Sequence, residues 1–277
     1  MKTKILTSRE VLKGYDAVLP LYSYVPPLSH WRAWEYAAYR HFRLGGRILD
    51  LGCGDGRYFN LIWPKAKNVV GVDMEPEVAN LGRLSGVYQA VHVTSADKVP
   101  EIDGSFDHVF ANCSLEHMDN LGLVLKEIHR CLKNDGSLIC SVVTNRFLEW
   151  APIPNVLSRI GLADSANNVL KDFSRYHHLA NPLSVENWVA EFERAGLVVE
   201  QHIPILPKNN AGMFLLIDNL WHIRRGDGNE IGDDIFSYIS KNKNFPRAFR
   251  KVFDGLLEME DDLGDCCGAV FKVRKLS

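Results

Sequence analysis

The chain has 277 residues, 46 % of them hydrophobic, enough for one large buried core and long for a single nucleotide-binding domain. A formal charge of -2, with no block of five like charges, argues against a broad nucleic-acid-binding face. No apolar run reaches the ~18 residues of a spanning helix, and Met1 to Glu10 lack the pattern of a secretory signal, so a cytoplasmic protein is expected.

Residues 1–43 read as an N-terminal cap. Within it, residues 19–39 carry Tyr22, Tyr24, Trp31, Trp34, Tyr36 and Tyr39 among Pro20, Pro26 and Pro27. The prolines predict a bent, extended first part, and Ser29 is placed to cap a helix over 30–42. Residues 44–206 read as the core, in which strand and helix patterns alternate over 47–144. Strands are expected at 47–52, 68–73, 89–94, 106–113 and 137–144, with crossover connections that fit a parallel sheet. Leu121, Val124, Leu125, Ile128 and Leu132 recur at helical spacing over 119–132, and Gly136 is expected to make the left-handed turn that follows. Residues 146–181 look irregular, a lid-like insertion. Ser184 should cap another helix, ended by Ala195-Gly196, before a sixth strand at 197–206. Residues 207–263 hold three helix candidates (213–223, 233–240 and 246–259), and a last core strand is expected at 267–275 within the segment 264–277. The six cysteines show neither a C-x-x-C pair nor metal-ligand spacing, which fits reduced thiols and no metal.

The most informative stretch is Ile-Leu-Asp-Leu-Gly-Cys-Gly-Asp-Gly, residues 48–56. Gly52, Gly54 and Gly56 let the backbone take positive φ and approach a ligand closely. Asp73 ends the second strand, where a carboxylate can read a ribose hydroxyl pair. A pyrophosphate fingerprint would need glycine where Arg57 stands, and Asp50 in the turn would repel phosphate. A cationic adenosyl ligand, S-adenosylmethionine, fits better than NAD.

These residues resemble the class I S-adenosylmethionine-dependent methyltransferases, notably the small-molecule group that includes ubiquinone and menaquinone methyltransferases. The resemblance covers about 47–144 well and 184–206 loosely. It implies a Rossmann-like α/β fold: a seven-stranded, mostly parallel sheet flanked by helices, with the aromatic cap and helical lid insertions added. It also implies a cofactor site from Asp50, Gly52, Cys53, Gly54, Asp73, Met74, Ser95, Ala96, Asp97, Asn112 and Cys113. Val99-Pro100 and Phe106-Asp107 match a second family signature, but Ser95 stands where an adenine-reading acid is common and Asp97 lies two positions late. Leu115-Glu116-His117 is the third.

His117, at the end of the fourth strand, is a candidate general base, and His177 and His178 in the lid are further candidates. The alternative for His117 is a hydrogen-bonding residue that fixes its loop. Tyr15, Tyr22, Trp31 and Tyr176 are candidate acceptor contacts; the alternative is simple packing for the first three and an ordinary solvated loop for Tyr176, His177 and His178. The implied acceptor is a small or mid-sized organic molecule, with O-methylation favoured. Two rivals remain, an NAD-dependent enzyme and a non-catalytic cofactor-binding scaffold. The apolar run 213–223, followed by Arg224 and Arg225, reads as lid packing, a dimer contact or peripheral membrane contact for a lipid-linked acceptor. Both monomer and homodimer are compatible with the sequence.

Overall fold

The structure, a computed structural model, describes residues 1–276. Among these, eight strands form one sheet: β1 (Lys2–Thr3), β2 (Arg47–Leu51), β3 (Asn68–Asp73), β4 (Ala90–Val93), β5 (Phe106–Asn112), β6 (Leu132–Val143), β7 (Leu197–Pro207) and β8 (Cys266–Lys275). Their order is β1-β7-β8-β6-β5-β2-β3-β4. All neighbours run parallel except β8, which is antiparallel to both β6 and β7. The seven expected strands are present. The eighth, β1, has only two residues, too few to show any alternation in sequence.

Among the described residues twelve α-helices flank the sheet: α1 (Ser8–Tyr22), α2 (Pro26–Tyr39), α3 (Arg57–Ile62), α4 (Pro76–Leu84), α5 (Leu121–Cys131), α6 (Arg146–Glu149), α7 (Pro152–Arg159), α8 (Ala163–Tyr176), α9 (Val185–Arg194), α10 (Lys208–Trp221), α11 (Ile231–Ile239) and α12 (Phe245–Glu258). One face of the sheet buries Ile48, Phe110, Ile203 and Ile205 with Trp34, Tyr39, Phe59, Phe214 and Phe253 from α2, α3, α10 and α12. The other buries Leu49, Val109, Leu138 and Phe271 against Leu125 and Ile128 of α5 and Trp188 and Phe192 of α9. Their i, i+3 and i, i+4 spacings are what make these helices amphipathic.

Four local expectations change. The first part of the aromatic segment is helical where a bent, extended stretch was expected. Thr7 and Glu10 form a reciprocal capping box that starts α1, which runs past Pro20 to Tyr22. Pro20 lies in the last turn, where a missing amide costs one bond only. Pro26 and Pro27, not Ser29, open α2, because a ring-fixed φ suits the first helical turn; the Ser29 hydroxyl instead donates to the Pro26 carbonyl at 3.1 Å. The left-handed residue after α5 is Asp135 (φ 64), not Gly136. Residues 146–181 are likewise helical, as α6, α7 and α8, with Pro152 opening α7. Ser184 caps α9 through the Asn187 amide at 3.3 Å, as its place before the helix implied. α1 can pack closely on α2 because residue 14 is glycine: a Cβ there would lie 2.1 Å from the Ala33 carbonyl oxygen.

Candidate cofactor site

The chain runs outward from β2 to β3 and β4, then returns to β5 on the other side of β2. Strand order thus reverses between β2 and β5, and ligands of doubly wound sheets bind outside the carboxyl ends of the strands at such a point. The glycine turn leaves β2 here. Gly52, Gly54 and Gly56 all have positive φ, at 76°, 57° and 75°. The Gly52 and Cys53 amides donate to the Val72 carbonyl at 2.8 and 3.0 Å, which ties the turn to β3. Nothing larger than glycine fits at 52, since a Cβ would come 2.8 Å from the Ser114 Cβ. Ser114 in turn donates to the Leu51 carbonyl at 3.0 Å, joining the two loops at the switch point.

Asp73 ends β3 beside the turn. Its carboxylate accepts the Gly54 amide at 3.0 Å and the Glu75 amide at 3.1 Å. A carboxylate has about four acceptor sites, so two remain for hydroxyl donors. Asp50 is buried, 3 % exposed, and accepts the Tyr88 hydroxyl at 2.6 Å.

A cleft of about 320 Å³ opens at this point. Gly52, Asp73 and Met74 line one side, Thr94 to Asp97 the floor, and Cys113, Ser114, His117, Met118 and Asn120 the other, with His178 at the lid. Met74 is 68 % exposed, free to lie against a flat ring. Ser95 donates to the Asp97 carboxylate, so the serine and the late acid form one unit beside Ala96. Larger surface grooves exist, one of 580 Å³ between α5 and α9, but none holds the glycine turn. Among the described residues, no group of three or more His, Cys, Asp or Glu is placed to hold a metal ion.

The loop after β5 makes the far wall. Leu115–His117 form a short 3-10 turn, and the end of the lid is latched onto it. The Ala180 and Asn181 amides donate to the Glu116 carbonyl at 3.0 and 2.9 Å, and the Asn181 side chain donates to the carbonyls of Leu115 and Met118 at 3.2 and 2.7 Å. His117 Nδ1 lies 3.3 Å from the His178 carbonyl, which can only accept, so Nδ1 carries the proton and Nε2 the lone pair. Burial pushes the His117 pKa below its usual value. Next to it, Glu116 is buried with neither carboxylate oxygen hydrogen-bonded; burial, aided by Glu35, raises its pKa to about 8. Its Oε1 is 4.0 Å from His117 Nε2.

Other expected residues lie apart from the cleft wall. Tyr15 is buried against Phe253 of α12, with its hydroxyl on the Pro246 carbonyl at 3.3 Å. Trp31 packs between Phe147 and Phe214. Tyr22 lies beside Tyr58. His177 points into the lid, 2.8 Å from Asp218, and Tyr176 stacks on His222 while its hydroxyl meets Glu230 at 3.0 Å. Asp50, Cys53, Gly54 and Asn112 stand outside the cleft's lining, and Asn112 accepts the Tyr39 hydroxyl at 2.8 Å.

Sequence reasoning missed a buried network behind Cys113. Glu35 of α2, fully buried, pairs with Arg32 at 2.6 Å, accepts the Ser141 hydroxyl at 2.6 Å and faces the Cys113 thiol at 2.9 Å. A lone acid in the apolar run from Trp31 to Tyr39 was the available signal. Tyr88 and Asn181 carry none.

A doubly wound sheet with a three-glycine turn, an acid at the end of β3 and a helical cap over the switch point defines a Rossmann-like site for an adenosyl ligand. Comparison with known proteins narrows the class. A methyltransferase domain family model matches residues 49–140. The ubiquinone biosynthesis O-methyltransferase of Xanthomonas euvesicatoria pv. vesicatoria is 30 % identical over 171 residues, 60 % of this chain and 68 % of that one. A ubiquinone/menaquinone biosynthesis C-methyltransferase of Geotalea uraniireducens is 30 % identical over 144 residues, 47 % of this chain and 61 % of that one. The chain spans about two thirds or less of the length of the curated relatives it matches. Among solved structures, a Thermotoga maritima S-adenosylmethionine-dependent methyltransferase described as a possible histamine N-methyltransferase shares the fold, with TM-score 0.55 and 18 % identity over 95 % of this chain and all of that one. The chain belongs to the class I S-adenosylmethionine-dependent methyltransferases.

Proposed function

We propose that this protein transfers a methyl group from S-adenosylmethionine to a small or mid-sized organic acceptor, O-methylation being favoured. The observation that carries this is the cleft itself, in which Gly52, Asp73, Met74 and the Ser95–Asp97 unit meet His117 across the switch point. The donor set fits the cofactor: two free acceptor positions on Asp73 for ribose hydroxyls, an exposed Met74 for adenine, and a turn with no side chain at Gly54, where a Cβ would meet nothing within 4 Å. Bound there, the cofactor supplies an electrophilic methyl on a cationic sulfur.

His117 is the acceptor's base in this proposal. Its Nδ1–H is spent on the His178 carbonyl, so its Nε2 lone pair can take a hydroxyl proton, and a lowered pKa keeps the ring neutral at physiological pH. The latch from Asn181 fixes the loop that carries it. The relatives named for O- and C-methylation of quinone precursors support a ring-bearing acceptor.

Isothermal titration with S-adenosylhomocysteine and with NAD tests the cofactor, and labelled S-adenosylmethionine with pools of phenols, amines and quinone-like rings tests the reaction. Binding of the homocysteine product and label in the phenol pool are expected. NAD binding without it would overturn the cofactor assignment. Cofactor binding with no label in any pool would favour a scaffold.

A further inference from the structure

A buried carboxylate, Asp50, and a half-buried phenol, Tyr88, pair beneath the glycine turn, outside the cleft lining. The Tyr88 hydroxyl is 2.6 Å from Asp50 Oδ2 and 3.1 Å from the Cys53 carbonyl oxygen, at the middle of the turn. Its ring is wedged: a Cβ on Gly56 would come 2.7 Å from it and one on Gly71 3.3 Å. The ring thus lies directly against the turn and β3 and cannot move toward either.

The hydroxyl has one proton and two acceptors. When Asp50 is ionised, the charge draws that proton to the carboxylate. When Asp50 is neutral, its own O–H can donate to the phenol oxygen while the phenol proton turns to the Cys53 carbonyl. Both arrangements satisfy the hydrogen bonds, but only the first leaves a negative charge under the turn. We infer that Tyr88 is a positioning residue that keeps Asp50 ionised beneath the turn, so that the pair favours the cationic sulfonium cofactor over its product, whose sulfur is neutral. The inference rests on the methyltransferase reading above and gives it a charge-selective support that the cleft lining lacks.

The groups around Asp50 fit that role. The Asp73 carboxylate faces it from β3, the Cys53 thiol from the turn and the Tyr88 phenol from the segment before β4. On the opposite side Asp50 pairs in register with the uncharged Phe110 of β5. Arg83 of α4 acts on Cys53 and Asp55 acts on Tyr88. Burial raises the Asp50 carboxyl most, the Tyr88 hydrogen bond pulls it down and Asp73 pushes it up, and together they leave it at about 7. The charge thus appears within the physiological range, and loss of the hydroxyl moves its onset to higher pH.

Calorimetric affinities for S-adenosylmethionine and S-adenosylhomocysteine, measured from about pH 5.5 to about pH 8.5 on the whole chain, test this. The wild type should show the ratio of the two affinities rising by about tenfold as pH rises through about 7, a coupling of ordinary size. Tyr88→Phe should move that midpoint upward. Asp50→Asn, which keeps an acceptor for Tyr88 but cannot ionise, should give a ratio flat with pH, and it keeps the test decisive where Tyr88→Phe folds poorly. A wild-type ratio that does not change with pH overturns the inference. So does a Tyr88→Phe protein that binds both ligands more weakly with the midpoint unmoved, the outcome of a purely structural tyrosine. Failure of the wild type to bind either ligand at any pH overturns the methyltransferase reading and the inference with it.

Discussion

Glu35→Ala is the sharpest perturbation of the wall behind the cleft. The substitution removes the only carboxylate on the half-buried Arg32 side chain among the described residues, strips the Cys113 thiol of its acceptor and takes the nearer acceptor from the Ser141 hydroxyl, which keeps Asn112 Oδ1 at 3.3 Å. Breaking one partner of a buried ion pair costs about 3 to 5 kcal/mol. The Arg32 side chain is 18 % exposed and can recover some hydration, so the lower end, about 3 kcal/mol, applies. For a chain of this length, unfolding entropy of about 2.1 cal/mol/K per residue converts that to a fall in Tm of about 5 °C. Urea denaturation should show a matching fall in midpoint with unchanged slope. A double variant, Glu35→Leu with Arg32→Met, should recover most of the loss, because it leaves no unpaired charge. A loss under about 1 kcal/mol for Glu35→Ala, or a double variant as unstable as the single one, would refute the buried-pair argument.

Three further outcomes follow from the site. Asp73→Ala removes the acceptor for the Gly54 and Glu75 amides as well as the proposed ribose contact, and should weaken cofactor binding by about 1.5 to 3 kcal/mol by calorimetry; unchanged affinity would place the ligand elsewhere. Asn181→Ala should speed amide hydrogen exchange in residues 115–118 and cost about 1 to 2 kcal/mol, since the Met118 carbonyl loses its donor and the Leu115 carbonyl one of its two; unaltered exchange would mean that the lid is held by other contacts. Asp50 has a raised folded-state pKa, about 7 against 3.8, so its burial is free of ionisation cost at low pH and becomes costly as pH rises through that window. Asp50→Asn should therefore gain on the wild type by up to about 1.4 kcal/mol per pH unit between about pH 4 and pH 7 and level off above. A constant difference across urea titrations at those pH values would contradict the assignment.

The core sheet was legible because its strands are short apolar runs punctuated by glycine and acid, and β2 to β6 fall close to where those runs stand. Prolines misled in the cap and the lid. Pro26, Pro27 and Pro152 start helices, and chain-local patterns do not separate a helix-opening proline from a loop proline. The cleft lining from Gly52 to Asp97 was legible for the same reason as the strands: it sits at their ends. Its supports were not. Tyr88, Glu35 and Asn181 reach the site across 38, 106 and 66 positions to Asp50, Ser141 and Leu115, separations that no periodicity records. The candidate contacts Tyr15 and Trp31 were read from aromatic content, which burial alone accounts for in the structure.

The place of β8 has a consequence for synthesis. It lies between β6 and β7, and among the described residues β7 otherwise pairs only with the two residues of β1. During translation, residues 197–207 must wait for some sixty further residues, the whole of α10 to α12, before their main partner leaves the ribosome. Until then two strand edges stand open, the condition under which nascent chains associate wrongly or recruit chaperones. Removal of residues from Cys266 onward would thus detach β7 and the cap packed on it from the rest of the sheet, and turn a lesion at the end of the chain into a defect at its centre.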